Sequence, residues 1–68
     1  MGLSTMITMI REARLQKGWT QLDLAKKSGV PQPTISQIES GERKYPTYQN
    51  IKKIAEALGI KTEELMKE

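Results

Sequence analysis

The chain has 68 residues, with eleven Lys and Arg against eight Asp and Glu, a net charge of +3 and a pI near 9.4. That length makes one domain, which buries only about 60% of its extended surface, so its core is small. The absence of Cys and His excludes a disulfide or thiolate–metal staple and removes the usual general base. No apolar run approaches the ~20 residues of a membrane span, and no signal peptide is visible. The basic balance permits a polyanionic partner, and the lack of Cys fits a reducing cytoplasm.

Taken in order, Met1 to Ser4 is expected to fray, with Ser4 or Thr5 capping a first helix that runs to about Lys17. Ile7, Ile10 and Ala13 or Arg14 fall at helical spacing and form its inner face, flanked by Met6 and Leu15. Gly18 stops this helix and lets the chain turn into Trp19. Thr20 is a natural N-cap, and Asp23 sits at the third helical position, so each side chain can bond the other's backbone N–H. Trp19 and Leu24 are placed as a hydrophobic staple. Leu24 and Ala25 face inward and Leu22 outward, while Lys26 and Lys27 favour the dipole at the C-terminal end. Gly29 supplies the left-handed C′ position, and Val30 is the buried hinge of the turn.

A third helix is expected to begin near Gln32. At about 100° per residue, Ile35 and Ile38 lie about 60° apart and form a narrow apolar stripe. Pro33, Ser36, Gln37 and Ser40 occupy the opposite side, with Gln32 at its edge. That side is uncharged and rich in amide and hydroxyl groups, which suits the DNA major groove: Gln can pair two hydrogen bonds with adenine, and Ser or Thr can bond any base. An isolated helix with this face reads more simply as solvated; the surrounding pattern gives the face its meaning. Pro31 and Pro33 do not break the helix, because first-turn N–H groups have no intrahelical partner. They remove two donors and stiffen its start.

The segment SGERKYPTY is an irregular loop marked by Gly41 and Pro46. Thr47 reads as the N-cap of a fourth helix from about Tyr48 to Leu58. Ile51, Ile54, Ala55 and Leu58 make its inward stripe, while Lys52, Lys53 and Glu56 face water. Gly59 ends it. Ile60 and Leu65 close the core from a last short helix, Thr62 to Lys67, with Glu63 and Glu64 near its positive end. No repeat, linker or low-complexity segment appears, so the expectation is a single all-α domain over residues 1–68 with no room for a second.

The string TQLDLAKKSGVPQPTISQIESG, with YPTYQNIKKIAEALGI after it, resembles the helix-turn-helix domain of the phage-repressor/Cro type. The resemblance runs from about Ile7 to Leu65. It implies a five-helix repressor-like bundle, with helices 2 and 3 as the helix-turn-helix, and operator DNA as the ligand. By the same resemblance Arg14 and Glu39 form a partly buried ion pair joining the first and third helices. Gln21, Ser40, Arg43, Lys44 and Thr47 fall where the family meets DNA phosphates, and Gln21 matches a position that often braces the first Gln of the reading helix, here Gln32. Base contacts fall to Gln32, Pro33, Thr34, Ser36 and Gln37; Pro33 can offer only apolar contact, such as with a thymine methyl. The family dimerises through the region after its fourth helix, here around Leu58, Ile60 and Met66. Leu22, in place of the usual polar residue, and Pro31, in place of a hydroxyl N-cap, depart from the pattern.

The function expected is therefore a sequence-specific, DNA-binding transcriptional regulator: a cytoplasmic repressor that occupies an operator as a homodimer, with no metal, cofactor or ligand-sensing domain. The alternative is an antitoxin or coactivator-like interaction module with a toxin or other protein partner. An enzyme is not expected. Without His or Cys, a nucleophile–base pair would need Ser, Lys or carboxylates, and none cluster.

Overall fold

The computed structural model describes the backbone of residues 2–42 and 46–66, and side chains from residue 5 within those ranges. Arg43, Lys44 and Lys67 lie outside the described residues. The described residues form five helices and no strand: α1 (Gly2–Gln16), α2 (Gln21–Ser28), α3 (Gln32–Ser40), α4 (Tyr48–Leu58) and α5 (Thr62–Met66).

Helix boundaries follow local chemistry. The Thr20 hydroxyl accepts the Asp23 N–H at 3.0 Å, and the Asp23 carboxylate accepts the Thr20 N–H at 2.9 Å, so two otherwise orphaned donors at the start of α2 are satisfied reciprocally. Gly29 closes α2 at φ 77°, a left-handed conformation that a Cβ would strain, and its N–H reaches the Ala25 carbonyl at 2.9 Å. The start of α3 is built differently. Pro31 is its N-cap and no side chain caps it. The Pro31 carbonyl instead accepts both the Thr34 and Ile35 N–H groups, at 3.0 and 3.2 Å. Thr47 caps α4 by accepting the Asn50 N–H at 3.1 Å.

Packing places α1 against α3, α4 and α5, and α2 against α3 and α4. Ile10, Leu24, Val30, Ile35, Ile38, Ile51, Ile54, Ala55, Leu58 and Leu65 are buried where these helices meet. Trp19 is half-buried against the same cluster. The Lys17 and Lys27 ammonium groups lie 5.3 and 5.1 Å from the centre of its ring, so both cations sit by the part of the indole that the core does not cover.

The first helix differs from expectation in two ways. Its backbone is already helical at Gly2, so neither Ser4 nor Thr5 is its cap. Its inner line is Met6, Ile10 and Arg14 at a spacing of four, with Ile7 only half-buried and Leu15 exposed. Met6, Ile7, Met9 and Ile10 offer almost a full turn of apolar residues, and only the approach of the neighbouring helices selects the phase.

Candidate nucleic-acid interface

Two apolar residues and one ion pair fix the position of α3. Ile35 and Ile38 are fully buried. Beside them the Arg14 side chain, 10% exposed, meets the Glu39 side chain, 5% exposed. Arg14 Nε donates to Glu39 Oε2 at 2.8 Å and Nη2 to Oε1 at 2.9 Å, a fork-on-fork geometry. The remaining arm of the guanidinium, Nη1, donates to the Trp19 carbonyl at 2.8 Å. One side chain therefore ties α1 to α3 and to the turn before α2. Two buried charges survive here because both forks are filled.

Gln21 completes this brace. Its amide Nε2 donates to Glu39 Oε1 at 3.2 Å, and no hydrogen bond joins it to Gln32. The expected brace between Gln21 and Gln32 is thus replaced by one between Gln21 and Glu39. The carboxylate, already charged and close to the start of α2, is the stronger acceptor.

The outward side of α3 carries Gln32, Pro33 and Gln37, all exposed, with Ser36 half-buried on its flank. Thr34 is also half-buried. It lies about 70° from the middle of the Ile35–Ile38 stripe, so it borders the core more than the outward face. Ser40 is exposed, but its hydroxyl is used internally. It donates towards the Gln37 carbonyl and the Glu42 carboxylate, each at 3.1 Å, and accepts the Glu42 N–H at 3.3 Å. Thr47 is different: its oxygen accepts from Asn50, which leaves the hydroxyl proton to give.

Between α1, α2 and α3 an open cleft of about 200 Å³ is lined by Arg11, Arg14, Gln21, Ser36, Glu39 and Ser40. Sequence reasoning did not single out Arg11, since a lone Arg on a helix surface carries no local signal; only the packing of α1 on α3 brings it to this cleft. Of the residues expected at a dimer contact, Leu58 is 4% exposed and belongs to the protomer's own core, whereas Met66 is 47% exposed. Ile60 is half-buried against that core. Leu58 is therefore withdrawn from any surface. Among the described residues no group of His, Cys, Asp and Glu could hold a metal ion, and no helix is long and apolar enough to cross a membrane.

The helix-turn-helix family model matches residues 10–65. The chain belongs to the helix-turn-helix family. Two relatives from Bacillus subtilis (strain 168) align over 57 residues: the HTH-type transcriptional repressor RghR, 46% identical, and the uncharacterised HTH-type transcriptional regulator RghRB, 42% identical. Each alignment covers 84% of this chain but only 42% and 41% of the relatives, so the chain spans about two fifths of their length. A solved complex of the SinR protein with the SinI protein superposes with a TM-score of 0.86 at 28% identity, covering 93% of this chain and 61% of the other. In this helix-turn-helix domain α2 and α3 are the two helices of the motif, joined through Gly29 and Val30, and the Arg14–Glu39 pair anchors the second of them.

Proposed function

We propose that this helix-turn-helix chain is the DNA-binding domain of a transcriptional regulator, a repressor that lays the outward face of α3 in the major groove of an operator. The observation that carries this reading is the division of α3 itself: Ile35, Ile38 and the Glu39 carboxylate anchor the helix on one side, and the other presents the exposed Gln32 and Gln37 side chains with no charge among them. At 1.5 Å per residue its nine residues span about 13 Å, and its girth of about 10–12 Å suits a groove about 12 Å wide. Gln32 and Gln37 are the base readers, with Ser36 and Thr34 at the edges and Pro33 offering apolar contact. Gln21, Thr47, Ser40 and the loop cations Arg43 and Lys44 meet phosphates, Ser40 only by giving up Glu42. The naming of RghR as a transcriptional repressor supports the same reading.

A helix this short contacts too few base pairs to specify a site alone, so the operator is occupied by a dimer with half-sites about 34 Å apart. Ile60 and Met66 are the candidates for that contact. A regulator of this kind works in the cytoplasm and needs no catalytic group. A second reading, docking to a protein partner, is favoured by Leu22, which is 50% exposed on α2, and by the similar SinR chain having been solved with SinI.

The test is a binding titration at several salt concentrations, on duplexes selected from a random pool. Log affinity should fall against log salt with a slope of about −0.9 per phosphate neutralised. A flat response, or no selected sequence, would transfer the proposal to the protein partner.

A further inference from the structure

We infer that Arg11 is a DNA-backbone contact contributed by α1, its guanidinium holding a phosphodiester beside the C-terminal half of α3. The inference rests on the DNA-binding reading above and adds to it a residue that neither the helix-turn-helix motif nor the loop after it contains.

Arg11 is exposed and makes no hydrogen bond or ion pair within the described residues. It stands three positions before Arg14, about 60° around α1, on the flank that borders α3. There it shares the open cleft with Ser36 and Ser40, one turn apart on α3. The carboxylates nearby are occupied elsewhere or form no ion pair with Arg11. Glu39 takes two bonds from Arg14 and one from Gln21, and Glu42 takes the Ser40 hydroxyl. Glu12, the next residue on α1, projects about 100° from Arg11. The Arg14–Glu39 pair is neutral as a unit, so Arg11 supplies the net charge of the cleft.

Arg11 serves no structural partner, yet it sits on a rigid helix within reach of the proposed reading face. A helix seated in the major groove has a sugar-phosphate strand along each flank. The flank where α1 packs on α3 is the one Arg11 borders. A planar fork of N–H donors at that place matches the paired oxygens of a phosphodiester. The contact carries no base information, because it lies beside the groove floor rather than over it.

The experiment compares the wild-type chain with Arg11→Ala, Arg11→Lys and Lys61→Ala by fluorescence anisotropy. Each protein is titrated into a pool-selected duplex and into a random-sequence duplex across a salt series. Lys61 is an exposed cation just before α5, which packs on α1 and α4, so it controls for loss of charge alone. Arg11→Ala should weaken both duplexes by the same factor, on the order of tenfold at low salt, and reduce the salt slope by about one. Arg11→Lys should keep most of the affinity and the slope, and Lys61→Ala should change neither appreciably. Thermal unfolding should be nearly the same for all four. Wild-type affinity and slope in Arg11→Ala, or a loss no greater than that of Lys61→Ala, overturns the inference and leaves the DNA-binding reading standing. A loss confined to the selected duplex overturns the phosphate assignment in favour of base contact. A wild-type chain that binds neither duplex overturns both the reading and the inference.

Discussion

The two sides of α3 are made from the same nine residues and do opposite work. On the inner side Ile35 and Ile38 are fully buried, and the Glu39 carboxylate accepts three hydrogen bonds from Arg14 and Gln21. On the outer side Gln32, Pro33 and Gln37 are exposed. One side fixes where the helix stands, and the other is left to be chosen by what it meets. Substitutions should therefore separate cleanly: inner-side changes move stability, and outer-side changes move binding preference.

The largest effect is expected at the ion pair. Glu39→Ala leaves the Arg14 guanidinium buried with only the Trp19 carbonyl, and should cost roughly 3–5 kcal/mol of stability. The Arg14→Ala, Glu39→Ala double variant should lose less than the sum of the singles, which a double-mutant cycle in urea measures. Additive losses below about 1 kcal/mol, the range of exposed pairs, would mean that the pair does not anchor the helix. Ile38→Ala comes next, at about 2–5 kcal/mol, through lost burial and the cavity left behind. A folded Ile38→Ala domain with an altered sequence preference would blur the division between the two sides.

An intermediate effect is expected on the outer side, and on binding alone. Gln37→Ala should cost about 1–3 kcal/mol on a selected duplex and little on random DNA, with melting temperature almost unchanged. Gln32→Ala should behave alike. The Gln21–Glu39 bond adds a contrast: Gln21→Ala should lower stability slightly and weaken both duplexes together. A Gln21→Ala variant that relaxed preference at one base position would restore the brace to Gln32.

What the sequence made legible follows from how local each cause is. Thr20, Asp23 and Gly29 act within one turn of their own backbone, so the boundaries of α2 could be read directly. Ile51, Ile54, Ala55 and Leu58 have polar neighbours, so the phase of α4 was plain. The phase of α1 was not, because Met6, Ile7, Met9 and Ile10 are all apolar and only packing separates them. Gln21 went to Glu39 rather than Gln32 because the choice depends on where a charged acceptor from another helix arrives. Arg11 was silent for the same reason. Leu58 illustrates the converse: its helical spacing marked it as core, and only the family resemblance suggested a surface role.

The smallest effect tests the other motif helix. The Asp23 carboxyl lies below its usual range, chiefly because it accepts the Thr20 backbone N–H and then through the Thr20 hydroxyl, with desolvation opposing and the Lys26 and Lys27 charges adding smaller contributions. A carboxyl lowered in the folded state contributes stability that is fully present above its unfolded value and is lost as pH falls through the folded one. Asp23→Ala should thus show a small melting-temperature deficit at neutral pH that shrinks in acid. A deficit independent of pH would mean that the cap does not act through its charge.

The central claim, that the outward side of α3 reads DNA, is tested most directly by selecting duplexes from a random pool with the wild type and Gln37→Ala side by side. The account predicts a defined preferred sequence for the wild type, and for the variant the same sequence with discrimination relaxed at one position per half-site. Identical preferences from two equally folded proteins would contradict it and place the reading surface elsewhere.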